Sequence, residues 1–221
     1  MKLYVYDHCP FCTRARMAAS LRGVATELVY LPNDDEDTPI RLIGAKQLPI
    51  LQKEDGSHMG ESLDIVRYLD RQSSLQSSEA LDEAVRPEIQ AWVEAFADWG
   101  NRLIMPRDVQ LGLPEFAAES SVAYFKAKKE AWLEASFEQL LQETPRYLAQ
   151  AQEALRVLDG LIAPNADYAN STHLSMEDIL VFPLLRNLSM VKGVAYPDNV
   201  AHYVRAMSQA AKIPLFFDRA V

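Results

Sequence analysis

The chain has 221 residues, of which 49% are apolar, and its net charge is −9. This length suits one large domain or two small ones, and the apolar fraction supplies a sizeable core. Lysine and arginine are scattered without forming a basic stripe, and no apolar run approaches a transmembrane length, so neither nucleic acid nor a membrane is expected as a partner.

A short apolar strand over residues 3–6 leads into the motif Cys-Pro-Phe-Cys, which opens a predicted helix. Cys9 is expected as the N-cap and Pro10 as the first helical residue, because proline has no N–H to leave unpaired there. The free amides of the first turn and the helix dipole should lower the pKa of Cys9 into the range of roughly 3.5–7.5. Cys12 should be more buried and less ionised, so the pair predicts an exposed attacking sulfur and a recessed resolving sulfur.

The same cysteine spacing also occurs in zinc sites and in structural disulfides. A zinc site usually has four ligands, and the four histidines are scattered without a second pair. Structural disulfides are rare in the reducing cytoplasm, the compartment that a low cysteine count without a signal peptide predicts. We therefore favour redox chemistry and expect no metal. His8 adjoins Cys9 and suggests a general base, but the helix terminus alone can ionise the thiol.

The rest of the first half continues as a β-α-β unit. The first helix should end near Arg22, with Gly23 as its left-handed residue. A second strand over residues 26–31 should lie parallel to the first, because a crossover helix joins them. The acidic run over residues 33–37 is interpreted as a solvated loop, and a short helical turn should then lead to Gly44.

Two later stretches have the chemistry of a ligand site. Pro49 stands at the start of a hairpin strand, a position that proline tolerates in a sheet. A cis Leu48–Pro49 bond would turn the backbone groups of Leu48 towards a ligand, although sequence alone does not establish that isomer. Ser62, at a helix start with free amides, can hold a carboxylate, and Glu61 can pair with an ammonium. Together they would bind the zwitterionic end of an amino acid; a plain helix cap is the alternative.

A polar, serine-rich break at residues 72–78 is interpreted as a linker, and after it the sequence shows helical patterns without strand signals. Apolar residues between 89 and 103 recur at a helical spacing, and a helix after Pro114 is predicted to run through Phe137. Ser175 begins a capping-box variant before a stretch that is apolar all round, which predicts a buried central helix. The expected organisation is an α/β domain over residues 1–71, a linker over 72–85 and an all-helical domain over 86–221.

The order of these parts resembles a known family. A strand, a Cys-Pro-aromatic-Cys helix, a strand, a helix, an X-Pro strand, a strand and a Glu-Ser helix are similar to the thioredoxin-like plan of glutaredoxins. The all-helical second domain resembles that of the glutathione transferase fold. The combination resembles the two-domain bacterial glutaredoxins of the glutaredoxin 2 type over the full chain. The stretches that carry the resemblance most specifically are residues 6–12, 47–50, 61–62 and 182–188.

The resemblance implies a role for each residue of the cysteine motif. Cys9 would be the nucleophile and Cys12 the resolving thiol. Pro10 and Phe11 would support them, as would Pro49. Many glutaredoxins have tyrosine where Phe11 stands, so any contact made by that hydroxyl is absent from this chain.

The resemblance also implies a glutathione site. The Leu48 backbone, before Pro49, would pair with the cysteinyl part of glutathione. Glu61 and Ser62 would hold its γ-glutamyl end, and Gln47 is a weak candidate for the glycine carboxylate. Many short glutaredoxins have a Gly-Asp pair where Glu61 and Ser62 lie, so this pocket is closer to the transferase type.

The implied activity is glutathione-dependent reduction of protein–glutathione mixed disulfides and disulfides, with glutathione as co-substrate. The first 71 residues carry nine basic and eleven acidic side chains, so they repel anionic glutathione little. Arg14 and Arg16 on the first helix can help locally but are interpreted as solvated charges. No contiguous apolar seam demands dimerisation, so we expect a cytoplasmic monomer whose partners are glutathione and glutathionylated or disulfide-bearing proteins.

Two alternatives stay open. A glutathione transferase of the cysteine type would conjugate electrophiles, keep Cys9 and need no Cys12. A non-catalytic, transferase-like regulatory binding protein should have lost Cys9 or Pro10. This chain keeps all three residues, which favours the glutaredoxin reading.

Overall fold

The computed structural model describes residues 1–73 and 80–221. The chain divides into two compact units: residues 1–80 with 112–127 form unit 1, and residues 81–111 with 128–221 form unit 2. The serine-rich stretch that is predicted to be a linker falls mostly on residues 74–79, which lie outside the described residues.

Unit 1 begins with a mixed α/β arrangement. Its elements in chain order are β1 (Lys2–Val5), α1 (Pro10–Leu21), β2 (Glu27–Tyr30), α2 (Asp37–Ile43), β3 (Ile50–Gln52), β4 (His58–Met59) and α3 (Ser62–Arg71). The strands form one sheet in the order β2-β1-β3-β4. β1 and β2 are parallel, whereas β3 is antiparallel to β1 and β4 is antiparallel to β3. The predicted β-α-β unit and hairpin are therefore confirmed.

The core of unit 1 follows from the side-chain period of its strands and helices. In β1, Leu3 and Val5 are both 0% exposed, because alternate residues of a strand point to the same face. Met17 of α1 and Ile65 of α3 are also 0% exposed, and the two helices pack against each other. Each such side chain contributes about 1.5–3 kcal/mol by leaving water. Gly23 (φ 65°) follows α1 in the left-handed conformation predicted for it.

Residues 112–127 belong to unit 1 although they come late in the chain. They contain a 3₁₀ turn (Pro114–Phe116) and the beginning of α5 (Glu119–Leu133). The Asn33 N–H donates to the Glu115 carbonyl at 2.9 Å, and Ser121 Oγ donates to Asp34 Oδ1 at 2.5 Å. The prediction of a solvated acidic loop after β2 is therefore only partly right, since these contacts anchor its first residues and Asn33 is buried.

Unit 2 is helical in its described residues. It contains α4 (Pro87–Asp108), the end of α5, α6 (Phe137–Gln142), α7 (Thr144–Asp159), α8 (Met176–Leu188) and α9 (Asp198–Ala211). Every residue of α8 is buried, as its apolar sequence predicts. The predicted capping box is present: the Ser175 side chain accepts from the Asp178 backbone N–H, and Asp178 Oδ2 accepts from the Ser175 N–H at 2.8 Å. Outside the box, Asp178 Oδ1 accepts from the Ala169 N–H at 2.8 Å. None of the helices in residues 1–73 and 80–221 has both the length and the apolar composition needed to cross a membrane.

The prediction of one helix from Pro114 through Phe137 is wrong. The segment forms a 3₁₀ turn, α5 and α6 as separate pieces. Glu134, directly after α5, adopts the left-handed conformation (φ 54°), and helices commonly end with a residue in this conformation. Ser136 then caps α6, because its Oγ accepts from the Gln139 N–H at 3.1 Å.

Candidate active site

The turn between β1 and α1 holds both cysteines. Cys9 is the N-cap of α1 with an extended backbone (φ −74°, ψ 119°), and Pro10 opens the helix. The Cys12 N–H points at Cys9 Sγ, 3.4 Å away. Both thiols are free; Cys9 is half-buried and Cys12 is fully buried. The structure confirms the predicted N-cap geometry and the predicted difference in burial.

The pKa of Cys9 is lowered from its ordinary value to about 6. The largest cause is the hydrogen bond from the Cys12 thiol. The charge of His8 and the backbone amides of Cys12 and Phe11 act in the same direction, whereas burial opposes them. The predicted direction is confirmed, but the leading cause is the neighbouring thiol rather than the amides of the helix start.

Cys12 behaves in the opposite way. Burial raises its pKa well above the ordinary value, and the hydrogen bond to Cys9 and the charge of Cys9 raise it further. The Tyr6 N–H contacts Cys12 Sγ at 3.4 Å and favours the thiolate, but this effect is smaller. At neutral pH one sulfur is therefore a nucleophilic thiolate while its neighbour remains a protonated donor.

The sheet topology brings three segments to one edge. β3 runs antiparallel to β1 and starts directly after Pro49, so Pro49 lies beside the end of β1 that leads to Cys9. β4 runs back antiparallel to β3, so the residues that follow it emerge at the same edge. The Leu48–Pro49 peptide bond is cis, and both residues are buried. The cysteine turn, the cis bond and the start of α3 are thus neighbours in the fold.

The start of α3 carries a strained residue. Glu61, the N-cap, has φ 61° and ψ 108°, a conformation that a residue with a Cβ rarely adopts. Such strain costs about 1–3 kcal/mol and is concentrated at functional sites. Glu61 Oε1 accepts from Gln47 Nε2 at 2.9 Å, and Ser62 follows as a buried first helical residue. The structure therefore joins Gln47, a separate candidate in the sequence, to the predicted pair of Glu61 and Ser62; the roles of these residues towards a ligand stay predictions.

The interpretation of Arg14 and Arg16 as solvated charges is wrong for Arg16. That side chain is buried, and its Nη1 donates to Asp7 Oδ1 at 2.5 Å. The Arg14 guanidinium lies 4.8 Å from the centroid of the Phe11 ring. Burial lowers the pKa of Arg14, and attraction to Cys9 opposes that shift, so Arg14 adds positive charge near the thiolate. The Phe11 ring itself is 50% exposed next to the cysteines.

Sequence reasoning missed one residue of this site, Glu115. It lies 107 positions after His8 and is fully buried. Its Oε1 accepts from the His8 N–H at 2.9 Å and lies 2.5 Å from His8 Nδ1. No local pattern signals this contact. Across residues 1–73 and 80–221, no group of three or more His, Cys, Asp or Glu side chains is arranged to hold a metal ion.

Comparison with known proteins identifies the family. The family model described as "Glutathione S-transferase, N-terminal domain" matches residues 3–77, and "Glutaredoxin 2, C terminal domain" matches residues 88–220. Glutaredoxin 2 of Escherichia coli (strain K12) is 40% identical over 222 residues, which cover 100% of both chains. The crystal structure of glutaredoxin 2 from Salmonella typhimurium, in complex with glutathione, is 40% identical with a TM-score of 0.92 and covers 100% of this chain and 98% of that chain.

More distant structures share the fold alone. A glutathione S-transferase from Rhodospirillum rubrum F11 is 16% identical with a TM-score of 0.60, covering 96% of this chain and 88% of that chain. The matches confirm the predicted fold class, a thioredoxin-like α/β N-terminal domain and an all-helical, glutathione transferase-like C-terminal domain. Because the full-length relatives are glutaredoxins and the match to transferases at this distance is one of fold, the chain belongs to the glutaredoxin 2 family, and its activity is that of a glutaredoxin.

Proposed function

We propose that the chain catalyses glutathione-dependent thiol–disulfide exchange, with Cys9 as the attacking thiol and Cys12 as the resolving thiol. The observation that carries this proposal is the half-buried N-cap sulfur of Cys9, whose pKa is about 6, beside a buried and protonated Cys12. Exchange requires the attacking sulfur as a thiolate, and the most effective attacking thiol has a pKa near ambient pH.

The first step transfers glutathione to the enzyme. The Cys9 thiolate attacks the glutathione sulfur of a protein–glutathione mixed disulfide, which forms a bond between Cys9 and glutathione and breaks the original S–S bond. The electron pair of that bond leaves with the substrate cysteine, whose thiolate then takes a proton from water. The protein substrate is thereby reduced and Cys9 is oxidised to a mixed disulfide.

The second step regenerates Cys9 by one of two routes. A second glutathione thiolate attacks the glutathione sulfur on Cys9, so oxidised glutathione forms and the Cys9 thiolate leaves. Alternatively, Cys12 loses its proton and attacks the Cys9 sulfur, which releases reduced glutathione and leaves a Cys9–Cys12 disulfide. Two further glutathione molecules then reduce that disulfide. Burial, the largest cause of the raised pKa of Cys12, persists when Cys9 carries glutathione and disfavours the Cys12 thiolate, so we expect the first route to predominate on glutathione mixed disulfides.

The glutathione site in this proposal is the edge where the three segments meet. The Leu48 backbone pairs with the cysteinyl part of glutathione, beside Pro49, and Glu61 with Ser62 holds the γ-glutamyl end. Gln47 holds the glycine carboxylate of glutathione, or it orients the Glu61 carboxylate through the hydrogen bond between these two side chains. The glutathione-bound relative and the strained backbone of Glu61 support this placement.

The finer points of organisation and partners are part of the same proposal. Glutathionylated and disulfide-bearing proteins are the macromolecular substrates, and the protein works as a cytoplasmic monomer. Residues 1–71 form the redox domain, 72–85 the linker and 86–221 the helical domain. The family matches over residues 3–77 and 88–220 support a division of the chain between residues 77 and 88, within or next to that linker.

The test is glutathione-dependent reduction of a small glutathione mixed disulfide by the wild type, Cys9→Ser and Cys12→Ser. We expect Cys9→Ser to be inactive and Cys12→Ser to retain activity, because a second glutathione replaces the resolving thiol. Cys12→Ser is the matched control, since it makes the same chemical change three residues away. Equal activity of the wild type and Cys9→Ser would contradict the proposal, and so would conjugation of an electrophilic chloronitrobenzene faster than the disulfide is reduced.

A further inference from the structure

The buried carboxylate of Glu115 is held by a single residue of the cysteine turn. Glu115 is 0% exposed, and its Oε1 meets both the backbone N–H (2.9 Å) and Nδ1 (2.5 Å) of His8. Burial raises the pKa of Glu115, but the hydrogen bonds and the charge of His8 outweigh it, so the pKa lies below its usual value. A buried carboxylate that stays ionised needs a compensating charge, and His8 is the group in contact with it.

His8 in turn is enclosed by aromatic rings. The Tyr6 ring stacks on the imidazole at 5.6 Å with 12° between the planes, the Phe116 ring lies at 5.0 Å, and the Phe125 ring packs in a T-shaped arrangement at 5.2 Å. The faces of aromatic rings attract a cation, so this enclosure accommodates an imidazolium. The His8 side chain is only 10% exposed, so the imidazole cannot easily exchange its partner for water. Its orientation is therefore fixed by Glu115 and the rings.

The pair acts on the two thiols with opposite signs. After the hydrogen bond from Cys12, the charge of His8 is the next cause that lowers the pKa of Cys9. Burial is the main cause that raises the pKa of Cys12, and the charge of Glu115 adds to it. The positive member of the pair thus favours the attacking thiolate, and the negative member favours the protonated partner.

We propose that Glu115 is a positioning residue for the Cys9 reaction, which fixes the ring of the adjacent residue His8 through Nδ1 and keeps it an imidazolium whose charge acts on the Cys9 sulfur. This inference rests on the proposed role of Cys9 as the attacking thiol. The other groups that face the pair include Tyr6, whose hydroxyl accepts from Lys46 Nζ at 2.8 Å and whose pKa burial raises, so that it stays neutral. Phe116 and Phe125, from the 3₁₀ turn and α5, bring rings without charge.

The direction in which removal of the Glu115 carboxylate shifts the pKa of Cys9 separates this role from a simple charge effect. A carboxylate that acted on the thiols only through its own negative charge would raise their pKa, so its removal would lower the pKa of Cys9. If Glu115 acts through His8, its removal lets the imidazole lose its proton. The pKa of Cys9 should then rise, by about one pH unit, which is the lower end of the effect of a neighbouring opposite charge.

The experiment measures Cys9 ionisation by thiolate absorbance at 240 nm against pH, in the full chain carrying Glu115→Gln, His8→Asn, or both. The glutamine keeps the shape and an acceptor oxygen, and the asparagine keeps a donor near the position of Nδ1. We expect each single variant to raise the pKa of Cys9 and the double variant to raise it no further than either one. Glu115→Asp, which keeps the charge, should restore part of the wild-type value.

Ser121→Ala is the matched control, because it removes a different side-chain hydrogen bond of residues 112–127, the one to Asp34, and leaves Glu115 and His8 in place. It should leave the pKa of Cys9 and the rate of disulfide reduction unchanged. The proposal is overturned if Glu115→Gln leaves the pKa of Cys9 unchanged or lowers it. It is also overturned if Ser121→Ala raises the pKa of Cys9 as much as Glu115→Gln does. If the Glu115 variants fail in this way while Cys9→Ser is inactive, only the role of Glu115 is rejected. If Cys9→Ser is active, the proposed function itself is rejected.

Discussion

Replacing Cys12 by alanine should make Cys9 a weaker acid. In the wild type the Cys12 thiol donates to the Cys9 thiolate, and this hydrogen bond is the largest cause of the lowered pKa of Cys9. Alanine fills a similar space but has no donor, so the thiolate keeps only the His8 charge and the backbone amides. Replacement by serine keeps a hydroxyl donor at the same position and is the matched control.

The size of the effect follows from the energy of such a bond. A hydrogen bond to a charged group contributes about 1.5–3 kcal/mol, and one pH unit of pKa corresponds to about 1.4 kcal/mol. The pKa of Cys9 in Cys12→Ala should therefore rise from about 6 to about 7–8. At pH 7 the thiolate fraction then falls from about 90% to between about 10% and 50%.

The assay is the rate of alkylation by iodoacetamide between pH 4 and pH 10. Only the thiolate reacts, so the rate rises with pH through the pKa of Cys9 and is level above it. We expect the midpoint of the profile to move from about pH 6 in the wild type to about pH 7–8 in Cys12→Ala. Cys12→Ser should follow the wild-type profile. Superimposable profiles for alanine, serine and the wild type would refute the reasoning, because the amides and His8 would then account for the acidity alone.

Two further predictions concern the glutathione site and the helical unit. Glu61→Gln should raise the KM for a glutathione mixed disulfide about two- to fivefold with kcat unchanged, because it removes the exposed charge that we propose binds the substrate ammonium; a lower kcat at constant KM would contradict that role. Asp178→Ala should reduce the free energy of unfolding by about 3 kcal/mol in a urea titration, because it leaves two buried N–H groups without an acceptor. Asp178→Asn keeps one acceptor oxygen and should lose less, and equal stability of all three proteins would exclude the capping role.

The features that sequence predicted well have local signals. The start of α1 is specified locally, by Cys9 as the N-cap and Pro10 as the first helical residue directly after a strand. The structure has this helix start. Gly23 and Gly44 end their helices in the left-handed conformation (φ 65° and 77°), as their positions after apolar runs indicate. The burial of α8 follows from a stretch with no polar face. In each case the determining interactions span only a few residues of chain.

The features that sequence did not predict depend on distant contacts or on fine geometry. Glu115 follows a proline and looks like an ordinary first-turn acidic residue, and only the folded chain brings it to His8. The backbone strain at Glu61 is imposed by its surroundings, since nothing in a Glu-Ser pair specifies a φ of 61°. The acidity of Cys9 was predicted from the amides and the dipole of the helix start, without the hydrogen bond from Cys12, because the rotamer that aims the Cys12 thiol at its neighbour has no sequence signature.

The membership of residues 112–127 in unit 1 constrains how this protein can be divided or recombined. A gene fragment that stopped at the serine-rich stretch would encode the whole sheet and both cysteines, yet it would lack Glu115 and two of the rings that enclose His8. A chimera that joined this N-terminal segment to another helical half would inherit the same omission. In chimeras between relatives, the N-terminal segment and residues 112–127 should therefore come from the same parent, although the linker looks like a natural place to join two chains.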